Sequence, residues 1–371
     1  MLTDLDDTLL HQAPLPFAFV GTSDHRFYDR YWFEAVAPDG SAGVLVSMGR
    51  YPNMNVLDGF VAAQTEGKQY NVRFSRELRP AFSETRVGGL SVSLVEPLKV
   101  LRLRLEEGHH PLACDLTWTG SLAARLEDHS FSRAHGRVVS DMYRFAQVGT
   151  VNGSLSIDGR DFAAADWFGA RDHSWGVRPG VGGFEPVTGG AAGGAGGRLF
   201  IWLAFRTDEL GGYVQLHEDH KGRRQSLDGA LVWPGEAGRP ELRIVDMEHD
   251  LTFHEGTRAF SHARLVLTTE DEKRWEVEAD PLFTAWAYKG TGYGTGYNDE
   301  KGLGAYRGEY LEETDVYDVS HPEIVRNLNG DQIPSGHREQ PVRLSVNGKP
   351  GFGHLPIMVM GPNQRYGLQA Q

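Results

Sequence analysis

The sequence predicts an all-β protein of two antiparallel modules, each a sandwich or a barrel. Three observations carry this. Apolar and polar residues alternate with a period of two through most of the 371 residues. The runs recur at roughly 8–12-residue spacing with turn residues between them and no helical patterns intervening. The 46 glycines and 18 prolines fall mostly in those turns.

Taken in order, "RYWFEAVA" (30–37) and "AGVLVSMG" (42–49) flank the turn "PDGS", and "VLDGFVAAQ" (56–64) and "QYNVRFSREL" (69–78) flank "TEGK". These read as hairpins. "GGLSVSLVEP" (88–97), "KVLRLRLEE" (99–107), "ACDLTWTGSL" (113–122) and "VNGSLSIDGRDF" (151–162) continue the series. Arg102 and Arg104 between Leu101, Leu103 and Leu105 mark a strand with one wet face. A glycine-rich tract over 179–197 reads as a linker, dividing a first module (1–178) from a second (198–371). The second repeats the style in "RLFIWLAFRTD" (198–208), "GGYVQLHED" (211–219), "GALVWPGE" (229–236), "ELRIVDMEHDLTFHE" (241–255), "HARLVLTTEDEKRWEVEADP" (262–281) and "PVRLSVNGKP" (341–350). One helix is expected, over "SHPEIVRNLNG" (320–330), from its Ser N-cap, Pro and Glu in the first turn, and closing Gly.

The formal charge of −13 argues against a nucleic-acid partner and against docking on anionic membrane. No apolar run approaches the ~18–20 residues that span a bilayer, and the acidic N-terminus is unlike a secretory signal. A cytoplasmic protein without stable membrane insertion is expected. The single cysteine, Cys114, sits in an alternating run and reads as a packed, inert thiol. The 15 histidines form no compact ligand triad: "HH" (109–110), "HEDH" (217–220) and the pair His249 and His254 all lack metal-site spacing, so neither metal nor cofactor is expected.

The densest cluster of reactive side chains is "ARDHSWGVRP" (170–179). In an extended chain Arg171, His173 and Trp175 share one face, and Asp172 and Ser174 the other. A proton-transferring imidazole beside an indole wall suits protonation of an alkene or ionisation of an alcohol. His173 is therefore the expected acid or base and Trp175 the cation-stabilising wall. Against this stands a purely structural reading, in which Asp172 and Arg178 pin a chain crossing and Trp175 fills a core. A second constellation, "AWAYKGTGYGTGYNDEKGLGAYRGEY" (285–310), interleaves tyrosine with glycine and reads either as a pocket rim or as a glycine loop with exposed aromatics. Tyr288, Tyr293 and Tyr306, with Arg171, Trp32 and Trp202, are expected to bind substrate.

Three stretches together, "FYDRYWFEAVAPDG", "ARDHSWGVRP" and "GYNDEKGLGAYRGE", resemble the carotenoid 1,2-hydratase (hydroxyneurosporene synthase)-like superfamily. The strongest piece is Asp-His-x-Trp-Gly, residues 172–176. The resemblance implies two tandem antiparallel lipocalin-like β-barrels, and implies proton transfer to an isoprenoid double bond for His173 and Trp175. The family's Tyr-x-Asp pair is absent from "RLFIWLAFRTD", where it belongs. Tyr297 and Asp299 match its spacing roughly ninety residues later and are lesser candidates for a second proton relay. The expected function is cofactor-independent hydration or dehydration, isomerisation or cyclisation of a hydrophobic isoprenoid- or steroid-like molecule between the barrels. The alternative is a non-catalytic carrier of such a ligand. A homodimer is left open.

Overall fold

The structure, a computed structural model, describes residues 2–185, 196–235, 240–293 and 296–369. Most of the glycine-rich linker expected over 179–197, residues 186–195, lies outside the described residues. Among the described residues the helical content is one 3₁₀ turn at Asp4–Asp7; everything else regular is strand.

The first module contains β1 (Phe27–Val36), β2 (Gly43–Tyr51), β3 (Val56–Thr65), β4 (Lys68–Glu77), β5 (Leu90–Glu96), β6 (Val100–Leu105), β7 (Leu112–Gly120), β8 (Arg137–Ile157) and β9 (Arg160–Val177). They pair antiparallel in the order β4-β3-β2-β1-β9-β8-β7-β6-β5. The sheet curls until its far strands meet through side chains rather than a ladder. Leu90 of β5 packs on Gly59 of β3, where a Cβ would lie 2.8 Å from Leu90 Cδ2. Inside are Phe33, Val46, Leu57, Val72, Leu103, Leu116 and Trp118, with Cys114. Burial pushes the Cys114 thiol up to about 12, as an inert packed thiol requires.

The second module begins with β10 (Arg198–Thr207), β11 (Gly211–Asp219), β12 (Arg224–Val232), β13 (Leu242–Phe253), β14 (Phe260–Thr269) and β15 (Arg274–Pro281). The chain then leaves it. Strand β16 (Tyr310–Asp318) pairs along β4 of the first sheet, from Tyr310↔Arg76 to Asp318↔Lys68, and β17 (Val325–Asn327) pairs with β16. The chain returns as β18 (Pro341–Val346), β19 (Lys349–His354) and β20 (Ile357–Met360). The order β11-β12-β13-β14-β15-β18-β19-β10 closes where β10 pairs back with β11, giving an eight-stranded antiparallel barrel. The architecture is two tandem lipocalin-like barrels, with residues 310–333 of the second half attached to the sheet of the first.

The helix expected over 320–330 does not form. His321 Nδ1 accepts the backbone N–H groups of Glu323 and Ile324, making a turn rather than a continued helix. Val325–Asn327 then extends along β16 and buries Val325. Asn327 Oδ1 reverses the chain by accepting the N–H groups of Asn329 and Asp331. A free sheet edge satisfies this segment's backbone better than an isolated helix with few apolar residues to bury.

Between the barrels lies a third core of Trp32, Val36, Phe60, Val148, Phe168, Phe200, Trp202, Tyr213 and Trp286. Strand β1 therefore has no wet face. Phe33 and Ala35 point into the first barrel, while Trp32 and Val36 pack on the second. A side chain of the size of Phe33 or Val36 is worth about 1.5–3 kcal/mol on burial.

Candidate active site between the barrels

The alternation of β9 holds as the sequence predicts, and it splits the central cluster between two environments. Arg171, His173 and Trp175 face the first barrel. Arg171 is buried, lies over the Trp118 and Phe145 rings, and donates from Nε and Nη2 to Gln147 Oε1. With no carboxylate opposite, burial lowers it to about 10. His173 pairs across the sheet with Tyr31 of β1 and Phe145 of β8. Its Nε2 is 2.7 Å from Asp29 Oδ1, and its ring lies 5.4 Å from that of Trp175, edge-on. Both are half-buried at the barrel's mouth.

Asp172 and Ser174 face the other way, into a pocket between the barrels. Its wall includes Trp32, Arg144, Asp172, Ser174, Arg178, Phe200, Trp202, Tyr293, Arg338, Glu339 and His354. Three sequence-predicted binding residues, Trp32, Trp202 and Tyr293, are thus brought together. The space is narrow, about 30 Å³, room for a water or one small group. Arg178, Tyr293 and Arg338 also line an adjoining vestibule of about 450 Å³, walled further by Pro179, Val181, Tyr288 and Leu303.

A buried charge relay forms the pocket's inner wall. His354, at the end of β19, lies between Glu34 of β1 (Nδ1 to Oε2, 2.9 Å) and Glu339 (Nε2 to Oε2, 3.0 Å). Trp286 Nε1 donates to the other Glu34 oxygen at 3.1 Å. The His354 ring sits between Trp32 and Trp202, at 4.8 and 5.4 Å. Burial opposes its charge, but the Glu34 and Glu339 carboxylates outweigh burial and raise it to about 9. For Glu339 burial is likewise outweighed, by Arg338 and His354, which hold it down at about 2. With both ring nitrogens occupied, His354 serves as a fixed cation rather than a proton donor to a ligand.

Two groups remain available for chemistry. The half-buried Asp172 carboxylate has no hydrogen bond or ion pair among the described residues and feels Arg30 and Arg144 through space. Arg144 itself is paired with Glu127, which also accepts from Trp202 Nε1. The Tyr293 hydroxyl accepts from Arg30 Nη1 at 2.6 Å, and the guanidinium lies 4.5 Å from its ring centroid. Among the described residues no acceptor takes the hydroxyl's own proton.

The other predicted residues lie elsewhere. Tyr297 is buried, donates to the carbonyl of Phe74, and is covered by the Arg307 guanidinium at 3.6 Å. Asp299 is paired with Arg307 at 3.0 Å. Together they brace the tyrosine–glycine loop and do not meet His173. Tyr306 is exposed and donates to Glu77 on the surface. Tyr288 accepts from Arg338 Nη1 at 2.6 Å in the vestibule wall. Sequence reasoning missed Glu34, His354, Arg338 and Glu339. One signal was present: Glu34 is a carboxylate flanked by Trp32 and Val36 on one face of a largely apolar strand, and a buried carboxylate needs a partner.

Fold and pocket define a tandem β-barrel protein with a narrow, charge-lined pocket at the barrel interface beside a larger vestibule. The chain belongs to a family of unknown function (DUF8625), whose profile matches residues 2–369. No curated protein matches it. Among solved structures it is similar to a protein from Nitrosomonas europaea described as an AttH, with a TM-score of 0.53 at 16% identity over 95% of this chain and 98% of the other. It is also similar to CghA, solved with Sch210972 (TM-score 0.49, 12% identity, 90% and 88% covered). Kievitone hydratase from Nectria haematococca is a further similar structure (TM-score 0.44, 9% identity, 92% of each chain). At these identities the likeness is one of fold.

Proposed function

We propose that this protein is an acid–base enzyme that adds water to, or removes it from, a hydrophobic small molecule of isoprenoid or steroid size held between the barrels. The observation that carries this reading is the unpaired Asp172 carboxylate sharing a narrow pocket with the free hydroxyl proton of Tyr293. The vestibule beyond lies within the roughly 300–1,000 Å³ typical of ligand sites. A pocket the size of a water molecule favours hydration or dehydration over cyclisation, which needs the whole reacting skeleton inside.

In the dehydration direction, Asp172 takes the proton from carbon while Tyr293 gives its proton to the departing hydroxyl, and water leaves. The Arg30 guanidinium holds the resulting phenolate, and proton exchange with solvent restores both groups. Hydration is the same path reversed. The Trp32 and Trp202 faces and the Asp172 charge stabilise positive character developing on the substrate carbon.

A second reading places the acid at His173, with Trp175 as the cation wall. The His173–Asp29 hydrogen bond and the surrounding Tyr31, Phe145 and Trp175 rings favour it. Paired variants separate the two. Asp172→Asn and Tyr293→Phe are expected to lower single-turnover dehydration of a terpenoid or steroid alcohol by roughly 10²–10⁴-fold with little change in affinity. His173→Ala is expected to keep turnover within a few-fold. The opposite pattern, in variants that melt like the wild type, moves the chemistry to the mouth of the first barrel. Binding without turnover in every screen supports the carrier.

A further inference from the structure

The vestibule has a charge character that neither the fold nor the acid–base chemistry requires. In a chain of net charge −13, its described wall contains two arginines, Arg178 and Arg338, two tyrosines, and no carboxylate. Arg338 is committed. Its Nε lies 3.2 Å from Glu339 Oε1 and its Nη1 donates to Tyr288. Arg178 is not. It lines both the inner pocket and the vestibule, and among the described residues its one neighbour of note is the Tyr28 ring, 5.8 Å away.

The charges around the site can be paired off. Arg144 goes with Glu127, Arg338 with Glu339, and His354 with Glu34. Left over are Arg178, Arg30 and Asp172. Arg30 is bound by Ser47 and Tyr293 rather than by a carboxylate, and its Nη2 is enclosed without an acceptor. The residue is one positive charge, at the junction between an apolar vestibule and the reactive pocket.

Resting on the reading of this pocket as the substrate site, we propose that the ligand is an amphipathic carboxylic acid. Its apolar body lies against Val181, Leu303, Tyr288 and Tyr293, and its carboxylate is gripped by Arg178. One free guanidinium fork matches one carboxylate through two parallel N–H···O bonds. A phosphate dianion would ask for a second free cation, and Arg338 is already engaged. Binding the acid also neutralises the excess charge of the site.

Binding alone tests this, so its failure is separable from failure of the Asp172–Tyr293 chemistry. Decanoate, decanol and methyl decanoate are titrated against the full chain at pH 7, with tryptophan fluorescence as the readout, since Trp32 and Trp202 line the site. Decanoate is expected to bind at least tenfold tighter than the alcohol or ester. Arg178→Gln is expected to erase that preference while leaving decanol affinity within about twofold, and Arg178→Lys to keep part of it. Equal affinities for the three probes on the wild type, no binding of decanoate, or a preference that survives Arg178→Gln each overturn the proposal. The wild-type comparison decides the matter even if a variant misfolds.

Discussion

At the residue scale, the relay through His354 is the feature with the clearest consequences. A histidine raised in the fold to about 9, from an ordinary 6.5, contributes stability that is fully present below pH 6.5. That contribution is lost as pH rises through about 9. Glu339, held at about 2 from an ordinary 4.5, contributes stability that is present above pH 4.5 and lost as pH falls toward 2. Urea denaturation across pH 5–10 should therefore show stability declining between pH 6.5 and 9, and His354→Gln should flatten that limb. Glu34→Ala removes one partner of a fully enclosed pair and should cost about 3–5 kcal/mol. A wild-type profile that is flat to pH 9 would mean that His354 carries no proton in the fold.

At the scale of elements, β9 and β1 each present their two faces to two different environments, and β16 ties the halves together. Arg73 on β4 is fully buried, with its Nη2 3.0 Å from Glu313 and 2.8 Å from Asp315 on β16. With the backbone ladder and Asn71, which donates to Asp315, it fastens a strand that has few apolar side chains of its own. Arg73→Ala should raise amide exchange across Tyr310–Asp318 roughly 10- to 100-fold, while β13 and β14 in the second barrel keep their protection. Uniform loss of protection through both barrels would show that β16 is not a separable unit. The strand runs themselves were legible in sequence, because period-two alternation records which side chains enter a core. The 320–330 segment was misread because its capping residues suit a turn as well as a helix start. The free edge offered by β16 is invisible from local residues.

At the scale of the whole molecule, the barrels share a core, a charge relay and a sheet. Tyr213 Oη accepts the Val148 N–H, Arg125 pairs with Asp228 at 2.6 Å, and Trp286 donates to Glu34. All three cross from the first module to the second. A fragment of residues 1–178 would expose Trp32, leave Glu34 without His354 and Trp286, and leave β4 as a bare edge. It should therefore lack the near-ultraviolet circular dichroism of the whole chain and bind hydrophobic dyes. The intact protein should unfold in one transition by tryptophan fluorescence and by far-ultraviolet circular dichroism. A cooperatively folded 1–178 fragment would show instead that the first barrel needs neither the relay nor β16.

The sequence by itself determined the all-β class, many of the strands, the inert cysteine, and the division of residues 171–175 between two faces. Those properties follow from local chain geometry, since side chains alternate wherever the backbone is extended. It also picked out Trp32 and Trp202, large aromatics on strands that end up buried, and Tyr293 from the tyrosine–glycine loop. It read 151–162 and 262–281 as single strands where Asp158–Gly159 and residues 270–273 turn the chain, and it did not find the strand Tyr310–Asp318. Only the tertiary structure decided which face of β9 meets the second barrel. A period-two pattern is the same whichever way the strand is turned, and here both faces are covered. The His354–Glu34–Glu339 relay was likewise beyond sequence: Glu34 and His354 are 320 residues apart and meet because the two barrels press the ends of β1 and β19 together.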